Sequence, residues 1–163
     1  MQALVRLWLR TTALCKPTPH GWTERLFQLV NFDQYGARDE LLRSANLLLD
    51  EKELRGLVDR FDQKLIAGVN AAADTGHLPS SVFHASGCLH LLSEALRDPD
   101  VHVRAVLRYS PQPNAMQRQG FARSYVDAGR PEDALLWLDG DWGHLEGSRQ
   151  RLQAETHSCP RQK

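Results

Sequence analysis

The sequence contains few cysteines, no excess of either charge and no long apolar run. Cys15, Cys88 and Cys159 are widely spaced and form no CxxC pair, which argues against a disulfide framework and favours a reduced, cytoplasmic setting. Lys and Arg together number 20, as do Asp and Glu, so charge gives no reason to expect nucleic acid or an anionic membrane surface as a partner. No apolar run is long enough to predict a membrane-spanning helix.

Motifs that would indicate an enzyme are also missing. No serine lies in a nucleophile elbow, and no glycine-rich loop has the spacing that cradles phosphates. Paired acids such as Glu132 and Asp133 stand where a helix is expected to begin. Carboxylates there interact favourably with the helix dipole, which explains them without any catalytic role. We therefore predict a protein that is not an enzyme and that needs no cofactor.

The N-terminal segment is basic, since it carries Arg6, Arg10 and Lys16 but no acid before Glu24. Its apolar residues are interrupted by the arginines, unlike the continuous apolar core of a secretory signal peptide. An arginine-rich transit peptide is an alternative. The spacing favours a first amphipathic helix over Gln2–Leu14, ended by the proline-containing turn at residues 16–19.

Apolar residues recur at helical spacing along the chain, and no segment shows the alternation of a strand. Short connections favour pairing between sequential neighbours. The sequence therefore predicts an all-α fold of antiparallel helical hairpins stacked in one domain, residues 1–156, with a frayed tail at 157–163. A closed bundle and a curved solenoid are alternatives. After the first helix and outside the hairpin described below, the predicted helices are Trp22–Val30, Glu40–Leu49, Glu51–Ala73, Val82–Arg97, Val101–Leu107 and Leu145–Ala154.

Three helix starts have capping residues that the sequence identifies. Asp50, with Glu53 three residues later, predicts a capping box, in which each side chain bonds the other residue's backbone N–H. Asn114 is a predicted cap that follows a proline-rich turn, and Asp100 is predicted to cap the helix over Val101–Leu107. These residues set where we expect the three helices to begin.

Residues 115–139 have the pattern of a short helical hairpin. Gly129 suits the left-handed residue that ends a helix, and Pro131 suits the first position of the next one. The residues at the two inner faces are Phe121, Ala122, Tyr125, Ala134, Leu135 and Leu138. In these residues other than Leu135 the segment resembles a tetratricopeptide repeat, although Arg118 stands where that family usually has an aromatic residue. The resemblance implies an α-α superhelix of the tetratricopeptide or HEAT type; an unrelated helical hairpin is the alternative.

Over a longer span, roughly residues 12–138, the order of segments resembles that of a bacterial helical-repeat family, domain of unknown function 6880. The segments that carry this resemblance are Thr23–Leu29, Leu54–Leu65, Leu92–Leu96 and Tyr125–Leu135. It implies a helical-repeat fold without an established activity. Because members of that family usually have further helices, it also implies a shortened member or a fragment of a larger repeat protein. An apolar face left exposed at one end would then promote self-association.

The tetratricopeptide resemblance further implies a binding face, because the first helix of each pair lines the concave side. Gln119, Arg123 and Asp127 are spaced four apart and would face a protein partner or a second copy; a solvated helix face is the alternative. Trp142 is a further candidate, since a partly exposed tryptophan can anchor an interface. The preferred function is a non-enzymatic scaffold or self-association module that binds protein rather than nucleic acid or membrane.

A metal site built on His84 and Cys88 is the alternative of a different class. On a helix these two side chains share one face, as a two-ligand clamp requires, while His90 points away from both. A metal-binding protein or metal-dependent enzyme would therefore need further ligands from elsewhere in the chain. We predict no metal, with Cys88 in the core and His84 on the helix surface.

Overall fold

The computed structural model describes residues 2–15, 21–33, 36–139 and 142–158. Every regular element in these ranges is a helix, which confirms the all-α prediction. The predicted turn at residues 16–19 and residues 159–163 of the predicted tail fall outside the described ranges. The chain separates into two compact units, Met1–Leu96 and Arg97–Lys163, which are described in turn. The single domain over residues 1–156 stays a prediction.

In its described part, the first unit consists of helices whose bounds lie close to the predicted ones, apart from the predicted helix over Glu40–Leu49. Their cores are the apolar stripes that the sequence identified, and α5 is buried around much of its circumference. The helices are α1 (Gln2–Leu14), α2 (Trp22–Phe32), α3 (Arg38–Arg43), α4 (Glu51–Thr75) and α5 (Ser80–Leu96).

The predicted helix over Glu40–Leu49 is wrong in its second half. α3 ends at Arg43, and a single 3-10 turn over Ala45–Leu47 follows it. The apolar side chains of this segment are buried nonetheless, so the error concerns the backbone and not the pattern of burial. The chain has to change direction before α4 begins at Glu51, and the tighter 3-10 turn does so within a few residues.

α4 begins at the predicted capping box and pairs with α5 as an antiparallel hairpin. The backbone N–H of Glu53 donates to Asp50 Oδ1 at 2.8 Å, and the N–H of Asp50 donates to Glu53 Oε2 at 3.0 Å. Gly76 follows α4 in the left-handed conformation, with φ 70°. A Cβ atom placed on Gly68 would lie 2.7 Å from Val82 Cγ2, so the two helices are in close contact there.

α2 packs on α4, although these two helices are not consecutive. Near their beginnings, Thr23 Oγ1 donates to the carbonyl of Glu53 at 3.4 Å, and further along, Lys64 donates to the side-chain oxygen of Asn31. The contact that is later in α2 is also the one that is later in α4, so the two helices run parallel. Stacked hairpins place alternate helices in this way, but a superhelix of repeats is not thereby established and stays a prediction.

In its described part, the second unit consists of shorter helices around one apolar core. Its buried residues are Val103, Val106, Phe121, Ala122, Tyr125, Ala134, Leu138, Trp142 and Leu152. The last helix packs on both helices of the predicted hairpin, and it extends four residues beyond the predicted end at Ala154. The elements are α6 (Pro99–Tyr109), α7 (Ala115–Asp127), α8 (Pro131–Leu135), a 3-10 turn (Gly143–Leu145) and α9 (Glu146–Ser158).

The turn between α7 and α8 has the glycine-centred geometry that the sequence predicted. Gly129 is left-handed with φ 77°, and its N–H donates to the carbonyl of Val126 at 2.9 Å. The N–H of Arg130 donates to the carbonyl of Tyr125 at 2.8 Å, which completes a Schellman motif. Pro131 is the first residue of α8, where its missing N–H has no intrahelical partner to lose.

Candidate functional site

α7 carries the face that the sequence assigned to partner binding. Its start is fixed by the predicted Asn114 cap, because the N–H of Gln117 donates to Asn114 Oδ1 at 3.0 Å and Gln117 Oε1 accepts from the N–H of Asn114 at 2.9 Å. The α7 face consists of Gln119, Arg123 and Asp127 along one side of the helix. Arg123 and Asp127 are exposed and Gln119 is half-buried, so all three are accessible to a partner.

The α7 face is bordered by α9. The Arg123 guanidinium pairs with both carboxylate oxygens of Glu155, and its second contact, from Nη2 to Oε1, is 3.3 Å. The two side chains keep 46% and 37% of their surface exposed, and ion pairs this exposed contribute little to stability. The pair therefore positions the Arg123 guanidinium beside α9 and leaves it open to solvent. No spacing rule in the sequence links residues that are 32 positions apart.

Trp142 does not belong to this face. Its side chain is 2% exposed and packs in the core of the second unit. The Arg118 guanidinium carbon lies 5.5 Å from the centre of the indole ring, and Arg118 Nη1 donates to the carbonyl of Asp139 at 2.6 Å. A partner could reach the ring only if this unit opened, so we leave Trp142 out of the α7 face.

Asp100 has a different role from the predicted one. α6 begins at Pro99, and Asp98 occupies the N-cap position, so Asp100 lies inside the first turn and does not cap the helix. Its carboxylate instead accepts hydrogen bonds from the Tyr125 hydroxyl at 2.5 Å and from Arg130 Nη1 at 2.8 Å. Pro99 was the signal in the sequence, because proline is favoured at the first position of a helix.

The charges of this cluster are fixed by its hydrogen bonds. Burial raises the pKa of Asp100, but the hydrogen bonds from Arg130 and Tyr125 outweigh burial and hold that pKa below its usual 3.8. Burial and the hydrogen bond to Asp100 raise the pKa of the Tyr125 phenol. Arg130 also donates to Asp133 Oδ2 at 2.6 Å. At neutral pH the cluster holds a carboxylate, a neutral phenol and a guanidinium, which together fasten α6 to the α7–α8 turn.

His84 and Cys88 lie on one face of α5, as predicted, with Cys88 Sγ 4.0 Å from His84 Nδ1. Cys88 is 1% exposed, and burial raises the pKa of its thiol to about 11. Burial lowers the pKa of His84, with help from the nearby charges of Arg38 and Lys64. Among the described residues, no group of three His, Cys, Asp or Glu side chains is placed to hold a metal ion. The alternative of a metal site at His84 and Cys88 therefore gains no third ligand in those ranges.

In the described ranges, no helix combines the length and the apolar content that crossing a membrane requires. Comparison with known proteins adds no further identification. No family model, no curated protein and no solved structure matches this chain. The resemblances to tetratricopeptide repeats and to domain of unknown function 6880 stay predictions from the sequence.

Proposed function

We propose that this chain is a non-enzymatic helical protein-interaction module, a scaffold or self-association unit that binds protein through the α7 face. The observation that carries the proposal is the Arg123–Glu155 pair, which presents an arginine between two helices beside the accessible Gln119 and Asp127. A guanidinium has five N–H donors, so Arg123 can still donate to a partner while Glu155 holds it, at a smaller cost in side-chain entropy than a freely moving arginine.

The proposal includes the wider predictions made from the sequence, which concern the repeat architecture, the location and the cofactors. Stacked repeats of the tetratricopeptide type would place α7 on a concave side, and α9, which packs on both α7 and α8, would stand where the next repeat begins. The free cysteines Cys15 and Cys88 agree with a reduced, cytoplasmic location. A bacterial helical-repeat protein of this kind would need neither a cofactor nor a metal.

The test compares charge reversals on the α7 face with a matched reversal elsewhere. Arg123→Glu and Asp127→Lys should each reduce the capture of specific proteins from the source cells, or reduce self-association measured by light scattering. Lys52→Glu, which makes the same kind of change at an exposed position of α4, should leave both unchanged. Equal losses for all three variants would contradict a role of this face.

A charge swap separates binding from folding. Arg123→Glu alone also breaks the pair with Glu155, so weakened capture could reflect a loosened α9. Combining Arg123→Glu with Glu155→Arg restores an opposite-charge pair while exchanging the positions of the two charges. If the swap recovers thermal stability but not capture, the α7 face contacts the partner directly; recovery of both would assign Arg123 a structural role only.

A further inference from the structure

Exposed apolar side chains are concentrated on the first two helices. α1 and α2 supply 13 and 11 residues. They nevertheless carry six of the ten large apolar side chains that are most exposed in the described ranges. These six are Leu4, Leu7, Trp8 and Leu14 on α1 and Leu29 and Phe32 on α2. We call these six residues, together with Trp22 and Arg25, the α1–α2 face. Exposed apolar groups that gather in one place mark a binding surface more often than scattered ones do.

α1 is apolar on two sides, and the first unit buries only one of them. Val5 and Leu9 are buried, at 8% and 0% exposed. Leu4, Leu7 and Trp8 follow one another at helical spacing on another side and are 67%, 60% and 40% exposed. A helix needs one apolar stripe to pack on its own unit, so the second stripe is available for another protein.

An aromatic contact connects the two helices. The rings of Trp8 and Trp22 meet edge to face with their centres 6.1 Å apart, and the Arg25 guanidinium carbon lies 5.0 Å from the centre of the Trp22 ring. On α2 an open depression of about 380 Å³ continues the surface between Trp22 and Phe32. It is long enough along the helix to receive several side chains of a docked segment.

Two arginines lie beside this surface, and the acid next to it, Asp33 after Phe32, accepts a hydrogen bond from the N–H of Arg38 at 2.8 Å. α1 contains no acidic residue, and Arg10 borders the apolar stripe, three residues from Leu7 and four from Leu14. Arg25 lies within the depression itself. Glu24, the acid of α2, is paired with Arg60 and accepts a hydrogen bond from Gln28, so its charge is already compensated.

We infer that the α1–α2 face binds an acidic amphipathic helix of another protein. The apolar side of such a helix would cover the exposed leucines and aromatics, and its carboxylates would meet Arg10 and Arg25. A second copy of this chain fits less well, because pairing this face with itself would bring two arginine-bearing faces together. The inference rests on the proposed function only in treating the chain as a protein-binding module, since this face lies in the other unit.

The experiment uses two labelled synthetic peptides of about 18 residues, each with leucine at positions i, i+3, i+4 and i+7. One carries glutamate on its polar side and the other lysine, and binding to the full chain is followed by fluorescence anisotropy. The glutamate peptide should bind at least about tenfold more tightly, and its advantage should fall as salt is raised.

Variants locate the binding. Leu7→Ser combined with Phe32→Ser should weaken binding of the glutamate peptide by about tenfold or more. Leu136→Ser, a matched change at an exposed leucine of the second unit, should have no effect on this binding. Arg10→Glu combined with Arg25→Glu should reverse the preference between the two peptides. All these positions are exposed, so circular dichroism and thermal unfolding should match the parent protein.

Three results would overturn the inference. The first is equal binding of the two peptides, or an equal loss with Leu136→Ser. The second is a concentration-dependent dimer that Leu7→Ser with Phe32→Ser abolishes, which would make the occupant a second copy. The third is sedimentation with phosphatidylserine vesicles without peptide binding, which would make it a membrane surface. Arg123→Glu should leave peptide binding unchanged, so failure of this face and failure of the α7 face can be told apart.

Discussion

Two glycines of α4 should respond to alanine in opposite ways. A Cβ atom on Gly68 would lie 2.7 Å from Val82 Cγ2, whereas a Cβ atom on Gly56 would lie 3.7 Å from Thr23 Cγ2. The first distance is a clash with a buried side chain, and the second is an ordinary van der Waals contact. The comparison tests whether the α4–α5 hairpin is as closely packed as described, since both substitutions are chemically identical and lie in one helix.

The expected sizes follow from two opposing effects. Alanine in place of glycine inside a helix stabilises by roughly 0.5–1 kcal/mol, so Gly56→Ala should raise the free energy of unfolding by about that amount. At Gly68 the same gain meets an overpacking cost of about 1–3 kcal/mol. Val82 is 0% exposed and β-branched, so its methyl group cannot rotate away from the new atom at low cost. We expect Gly68→Ala to lower stability by roughly 0.5–2 kcal/mol.

Urea unfolding followed by circular dichroism measures these differences, and hydrogen exchange at the amides of α4 and α5 assigns them to the first unit. For a unit of this size, each kcal/mol corresponds to a shift of about 4–8 °C in Tm. Val82→Ala removes the clashing methyl group, so Gly68→Ala should cease to destabilise in that background. Two results would refute the close packing. The first is a Gly68→Ala variant as stable as Gly56→Ala, and the second is a loss of stability from Gly68→Ala that is the same with valine and with alanine at position 82.

Three further predictions concern titrating groups. Cys88, whose buried thiol has its pKa raised to about 11, should resist iodoacetamide in the native protein while the exposed Cys15 reacts; equal labelling by peptide mass spectrometry would contradict this. Glu40→Gln should cost roughly 1–3 kcal/mol at neutral pH, because the buried Glu40 carboxylate accepts hydrogen bonds from Ser44 and Arg6. The Ser44 bond is the largest influence on the pKa of Glu40 and holds it below 4.5, so this cost should shrink as pH falls through that range in urea unfolding. Asp100→Asn should likewise destabilise less below about pH 3.8, since the folded pKa of Asp100 is depressed and its contribution is lost on protonation; a pH-independent cost would contradict this assignment.

Local signals in the sequence placed the starts of α4 and α7 and the turn between α7 and α8 correctly. The capping boxes at Asp50 and Asn114 and the glycine turn at Gly129 form from residues within five positions of one another, so their geometry needs little help from the rest of the fold. The helix predicted over Glu40–Leu49 is wrong beyond Arg43 because its apolar spacing is equally compatible with a short helix followed by a 3-10 turn. The spacing alone therefore does not show where the helix ends.

The candidate site was predictable only as a set of spaced positions. Four-residue spacing along α7 identifies the side of the helix that carries Arg123, but not the Glu155 side chain that holds the guanidinium there. Trp142 lies outside the helices, so helical periodicity does not predict its burial, which depends on side chains of α6 and α7 that the sequence does not place beside it. The exposed second stripe of α1 was visible as apolar spacing, yet only the structure distinguishes it from the buried one.

Asp100, Cys88 and Tyr125 have one feature in common in their pKa shifts. Here the pKa of Asp100 moves down and those of Cys88 and Tyr125 move up, each away from neutrality. These groups are therefore held in one protonation state at neutral pH, and their hydrogen bonds and burial serve to position helices.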